Sequence, residues 1–238
     1  MNKPPPKIGF DRFIHLGWAA TALRIRASEA TIDDLMEVLE ASHSGPAAKK
    51  KTRTVLNRLW LEPRPDLVGF ADRGVQIYRD APAITIPALT WGMAIASYPF
   101  FGRVAEIVGR LTALQGECTS AEVHRRMAEI YGEREGTRRM TNMVLQSQAS
   151  WGAIERLNNG NKIVRKSAIN LDGSPLAAWL TEACLRYSGR ALPVSSIASN
   201  PLVFPFNFGG STSYLLSKFR VFEMRVDSAG NQIVSLAE

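Results

Sequence analysis

The stretch FGRVAEIVGRLTALQGECTSAEVHRRMAEIYGEREGTRRMTNMVLQSQASWGAIERLNNGNKIVRK, Phe101–Lys166, decides the reading of this chain. Val104, Ile107, Val108 and Leu111 recur at spacings of three and four, which draws one apolar stripe along a helix, and Gly116 ends it. Thr119-Ser120-Ala121-Glu122 is a capping box: the threonine hydroxyl takes an orphan amide of the next helix while the glutamate reaches back to the cap's own N–H. That second helix is expected to bury Val123, Met127, Ile130 and Tyr131. Gly132 and Gly136 bracket a turn, and a third helix is expected from near Thr137, with Met140, Val144, Ser147 and Trp151 facing the core.

The other side of the third helix carries Arg138, Arg139, Asn142 and Gln146 on one polar stripe. These side chains have partners on base edges: arginine forks onto guanine, and asparagine or glutamine pairs bidentately with adenine. After Gly152 the period changes to that of strands. Ala153–Leu157 and Lys162–Ile169 flank Asn158-Asn159-Gly160-Asn161, and Asn-Gly supplies the positive φ a tight hairpin demands. Arg156, Lys162, Arg165 and Lys166 cluster on this hairpin, where a phosphate backbone would be met.

Helix, capped helix, polar-faced helix and basic hairpin in this order resemble the winged helix-turn-helix superfamily over residues 101–166. The resemblance implies double-stranded DNA as the partner, with the third helix reading the major groove and the hairpin tracking phosphates. Winged helices also serve as docking modules. A protein-interaction subunit of a larger complex therefore stays open, as do a transcriptional regulator and a nucleic-acid-processing enzyme whose active site escapes motif reading.

Charge is distributed in a way that suits the first reading. The chain carries a formal net charge of +7 with 45% apolar residues, an ordinary globular fraction. Residues 1–80 hold 13 Lys and Arg against 10 Asp and Glu, 101–170 hold 11 against 7, and 171–238 hold 5 against 5. The surplus thus sits with the first and central regions, as a polyanion partner requires. Cys118 and Cys184 lack metal or redox spacing and no secretory leader is recognisable, so a reducing, cytoplasmic compartment is expected. His15, His43 and His124 are far apart, none with a ligand partner at metal spacing, so no metal, cofactor or catalytic residue is expected. His124 reads as a flank of a packed face. No phosphate-binding loop, dinucleotide fingerprint, nucleophile elbow or zinc-protease motif is present.

Around the central stretch, Met1–Lys7 reads as a disordered, Pro- and Lys-rich lead-in, and Arg12–Ala27 as a helix. Thr31 caps a second helix with Asp33 and Asp34 in its first turn and Leu35, Val38 and Leu39 on its face. A third follows Ser44-Gly45-Pro46; it opens with Lys49, Lys50, Lys51 and Arg53, also candidate DNA contacts, and buries Val55, Leu56, Leu59 and Trp60 before Pro63 and Pro65. Leu67–Phe70 and Val75–Tyr78 around Ala71-Asp72-Arg73-Gly74 read as a second small hairpin. A second helix-turn-helix-like unit and a plain helical bundle both fit this region. Ala81–Gly102 is uncharged and near spanning length, but Pro82, Pro87 and Pro99 interrupt it, so a buried helix from about Ala88 to Ser97 is expected, and no membrane span.

In the last third, Ser174-Pro175 starts a helix with Leu176, Trp179, Leu180, Ala183, Cys184 and Tyr187 on its stripe and Gly189 at its end. Leu192–Gly210 is expected as a packed loop. Phe222, Met224 and Val226 then alternate with charged residues as a strand, Ser228–Asn231 turn the chain, and Gln232–Leu236 return. The expected fold is mainly α with small β-hairpins, an α+β class: a helical region 1–80, a buried apolar connector 81–100, a winged unit 101–170, and a small C-terminal helix-plus-hairpin region 171–238 suited to packing or to binding other subunits. The basic helical start, Trp91-Gly92-Met93 with Tyr98-Pro99-Phe100-Phe101, the winged unit and a short C-terminal part are together similar to small phage-defence accessory proteins, the BrxA family of BREX systems. That resemblance implies a DNA-binding accessory component of a prokaryotic defence complex.

Overall fold

The computed structural model describes residues 8–43, 45–171, 175–209 and 212–237. The expected lead-in Met1–Lys7, and Ser44, Ser174 and Gly210 at expected boundaries, lie outside them. The chain is mainly helical, with three small sheets. Residues 8–15 run without regular structure before α1 (Leu16–Arg26), followed by α2 (Ile32–Ser42) and α3 (Pro46–Leu56), which a π turn, Asn57–Leu61, extends. Next come α4 (Val68–Asp80), α5 (Pro82–Ser97), α6 (Pro99–Gln115), β1 (Glu117–Thr119), α7 (Ser120–Tyr131) and α8 (Glu135–Ser150). Strands β2 (Ile154–Leu157), β3 (Lys162–Arg165) and β4 (Ile169–Asn170) precede α9 (Pro175–Ser188) and β5 (Leu192–Pro193). The chain closes with β6 (Phe206–Asn207), α10 (Thr212–Ser217), β7 (Phe222–Val226) and β8 (Gln232–Leu236).

The centre is α5. Residues 88–98 are buried on every side, and α9, α4, α6, α1 and the π turn pack around them. Pro87 lies inside this helix, which therefore begins at Pro82 and not near Ala88. A proline in a helix interior costs about 3 kcal/mol, but burying one large apolar side chain returns roughly 1.5–3 kcal/mol, and Leu89, Trp91, Met93 and Ile95 are all buried here. Trp91 donates its indole N–H to the Leu202 carbonyl at 3.0 Å and meets Phe101, Trp151, Phe204 and Phe206 edge-on. Buried side chains from all four expected regions, Phe10 through Val234, join one continuous core.

Several elements differ from the sequence reading, each for a packing reason. The expected helix Arg12–Ala27 starts only at Leu16, with His15 as its cap: the Ile14 N–H donates to Ser147 Oγ at 2.9 Å and the Ile14 carbonyl accepts from Trp151 Nε1 at 2.9 Å, so neither backbone group is free for a helix. The hairpin expected at Leu67–Tyr78 is instead α4, one continuous helix after a short 3₁₀ turn. Phe70, Ala71, Gly74, Val75 and Tyr78 are its buried face, a helical spacing that the Asp72-Arg73-Gly74 turn signal obscured. Arg73, at the middle of that supposed turn, projects from α4 to Glu182 on α9, at 2.5 Å. The loop Leu192–Gly210 is packed as expected yet contains β5, which joins β8, and β6, which pairs in parallel with β4. Ile169 therefore belongs to that second sheet, and the hairpin's return strand stops at Arg165. Val38 and Ile130, expected inside, are 37% and 41% exposed.

Candidate nucleic-acid interface

Gly116, at φ 77°, ends α6 and lets the chain turn into β1. The capping box forms as expected: Thr119 N–H donates to Glu122 Oε2 at 2.7 Å, and Glu122 N–H donates to Thr119 Oγ1 at 3.1 Å. The bonds from the Thr119 amide and hydroxyl hold the Glu122 carboxyl below the usual carboxylate range. β1, β3 and β2 form one antiparallel sheet, with Cys118 opposite Ile163 and Arg156 opposite Ile163 on the other side. Asn158, Asn159 and Gly160 all take positive φ, which is what the Asn-Asn-Gly sequence supplies at the hairpin tip. That tip is latched to the start of α7, because Ser120 N–H donates to the Asn161 carbonyl at 2.9 Å and Ser120 Oγ donates to the Gly160 carbonyl.

α8 is anchored from one side. Thr137, Met140, Thr141, Val144, Leu145, Ser147 and Gln148 are buried, and Trp151 stacks on Phe101 beyond its end. Arg138, Arg139 and Gln146 stand on its exposed side, with Asn142 half-buried between them. Arg156 crosses from β2 to donate to Asn142 Oδ1 at 3.3 Å and to the Gly160 carbonyl at 3.4 Å, so hairpin and helix stripe are joined by one guanidinium. Asn142 keeps an Oδ1 lone pair and both amide hydrogens for another partner. Among the described residues neither Arg138, Arg139 nor Lys166 has a carboxylate within ion-pair distance.

The hairpin cations divide. Lys166 is exposed, while Lys162 pairs across the sheet with Glu117. Arg165 points inward and away from its expected neighbours: it donates to the Gly109 carbonyl and Thr112 Oγ1 on α6 and lies over the Phe204 ring at 5.1 Å. Its guanidinium closes the module onto the core and is spent there. Residues Lys49, Lys50, Lys51 and Arg53 sit on α3, which packs on α1 and the π turn. Lys50 and Lys51 are exposed, but Lys49 pairs with Glu40 at 3.3 Å and Arg53 reaches Met36 Sδ at 3.9 Å.

The structure adds residues that periodicity alone does not single out. A groove of about 740 Å³ between α7 and α8 is lined by His124, Arg125, Arg134 and Arg138, with Glu129, Glu133 and Glu135 opposing them. The groove holds three arginines and three glutamates, and Arg138 belongs both to its lining and to the α8 stripe. Burial, then Arg138 and Arg156, push the His124 pKa down, which keeps the imidazole neutral at pH 7. Burial pushes the Cys118 and Cys184 thiols up to about 12, so both are inert as nucleophiles. No cluster of His, Cys, Asp and Glu able to hold a metal occurs among the described residues, and no helix there is long and apolar enough to cross a membrane. No protein-family model matches the chain, and no curated protein or solved structure matches it either.

Proposed function

We propose that residues 101–166 act as a winged helix that binds double-stranded DNA, with α8 in the major groove and the β2–β3 hairpin on the flanking phosphates. One observation carries the reading: Arg138 and Arg139, unpaired, share an exposed face with Asn142 and Gln146 on a helix whose other face is locked into the core, and Arg156 ties that face to the hairpin. A rigid helix presenting two forks and two amides is suited to base edges, where each good bidentate pair contributes about 1–3 kcal/mol of discrimination. Lys166, and Lys162 on exchanging Glu117 for a phosphate, supply the sequence-independent part, while Arg156 holds the hairpin against the stripe. Arg165 is left out of this surface because its hydrogen bonds are made inside.

The test is salt dependence. Roughly three to five phosphate contacts imply a slope of log affinity on log salt of about −2.7 to −4.5, so affinity for a duplex should fall about 40- to 500-fold between 50 and 200 mM salt. Fluorescence anisotropy on a labelled duplex measures this directly. A docking module that uses the same face for a protein partner would show little DNA affinity even at the lower salt.

A further inference from the structure

A second groove, of about 810 Å³, lies between α6 and the end of α9, floored by the 3₁₀ turn Pro201–Val203 and bordered by the end of α7. Two glycines seven residues apart, on one face of α6, let its neighbours pack close beside the groove. A Cβ on Gly102 would come within 2.3 Å of the Tyr187 ring, and one on Gly109 within 2.0 Å of the Pro201 carbonyl oxygen. The ring and the turn therefore press against bare backbone, and the walls are fixed by packing on both sides.

The chemistry of those walls is cationic. Arg103, Arg110 and Arg190 line the groove, and Glu106 is the one carboxylate among them. Glu106 is largely buried; it accepts from Arg103 Nη1 at 2.7 Å, from Arg110 Nη2, and from the Tyr187 hydroxyl at 3.4 Å. Arg103 and Arg110 lie on the same helix as Glu106, so their pairing adds no tertiary link. What it does is aim two guanidiniums at one place. Each offers five N–H donors and gives one of them to the carboxylate, and one negative charge cannot neutralise three positive ones. Arg190 has no ion pair among the described residues. Burial raises the Tyr187 pKa, which keeps its phenol protonated and donating to Glu106.

We propose that this groove binds a small phosphorylated ligand, of nucleotide size, on Arg103, Arg110 and Arg190. Guanidinium forks match phosphate oxygens bidentately, and a net charge of two on the walls calls for a dianion, as a phosphomonoester or diphosphate provides. The volume lies within the roughly 300–1,000 Å³ of small-molecule sites. This site is independent of the α8 surface and does not rest on the DNA reading.

Titration calorimetry of the full chain with inorganic pyrophosphate and with ADP, compared with anisotropy on a duplex in the same buffer, tests it. Both small ligands should bind, and Arg103→Gln with Arg190→Gln should weaken them at least about tenfold, the loss of one charge-assisted hydrogen bond or more, with duplex affinity unchanged. Arg110→Gln, read in parallel with a thermal melt of each variant, gives the same answer should the double variant fold poorly. Absence of binding by the unmodified protein at millimolar pyrophosphate and ADP overturns the proposal, as does binding that the variants leave intact. A parallel loss of duplex and nucleotide affinity also overturns it, and makes the DNA backbone the occupant of the groove.

Discussion

Replacing Trp151 by alanine should loosen the whole protein and not the α8 end alone. The side chain is buried, stacks on Phe101 with centroids 5.1 Å apart, and meets Phe10 and Trp91 edge-on at 6.3 Å each. Deleting a buried Trp costs about 3–5 kcal/mol in transfer and cavity terms. The indole N–H also satisfies the carbonyl of Ile14, 137 residues away in sequence, and orphaning that buried acceptor adds about 1–3 kcal/mol. For a chain of this size each kcal/mol lowers Tm by roughly 2–4 °C, so the melt should fall by about 10–30 °C. Trp151→Phe keeps most of the apolar area and loses the hydrogen bond, so its drop should be smaller, about 1–3 kcal/mol. Far-ultraviolet circular dichroism on heating measures both, undisturbed by the other tryptophans. A Tm shift of less than about 5 °C for Trp151→Ala would refute the claim that this ring joins the N-terminal segment, α6 and α8 in one core.

Two further changes probe the module. Thr119→Ala removes the cap of α7 and should cost about 0.5–2 kcal/mol in a denaturant midpoint. The Glu122 carboxyl of the same box has a depressed folded pKa, so its contribution is complete above the ordinary carboxylate pKa and is lost as pH falls through that value towards the depressed one. The stability gap between the native protein and Glu122→Gln should therefore be widest at neutral pH and narrow as pH falls below the ordinary carboxylate pKa, and a gap that stays constant would contradict the box. Gly109→Ala should destabilise by about 1–3 kcal/mol or more, since its Cβ meets backbone at 2.0 Å, whereas Gly136→Ala, in open space in the first turn of α8, should gain about 0.4–1 kcal/mol. Equal melts for these two glycine variants would count against the packing of the Pro201 turn on α6.

The elements with short-range signals were legible in the sequence. The box at Thr119–Glu122, the stop at Gly116, the stripe on α8 and the Asn-Asn-Gly turn each depend on neighbours within one or two helical turns, and each is where periodicity placed it. What could not be read depends on contacts far along the chain. Residues 12–15 leave the helix because α8 takes the Ile14 backbone, and α4 stays helical through Asp72-Arg73-Gly74 because its apolar face packs on α5 and α9. Arg165 shares the hairpin with Lys166, yet it alone lies beside the Gly109 carbonyl. Strand alternation does carry the signal, because Arg165 lies two residues beyond buried Ile163 and so shares its inward face. The arginine groove at Glu106 was hidden, since Arg190 and Tyr187 reach it from a part of the chain with no charge surplus.

Salt titrations of duplex binding separate the two kinds of DNA contact proposed for α8 and the hairpin. Lys162→Ala with Lys166→Ala should weaken preferred and scrambled duplexes alike and make the salt slope shallower by about 1–2, because about two fewer counterions are released. Asn142→Ala or Gln146→Ala should leave the slope unchanged and cost about 1–3 kcal/mol of discrimination between the two duplexes. Arg165→Ala should act on the melt, through its lost bonds to α6, and leave the slope of the folded protein as it was. A lysine double variant that binds every duplex like the native protein, with an unchanged slope, would place the hairpin off the DNA and contradict the account.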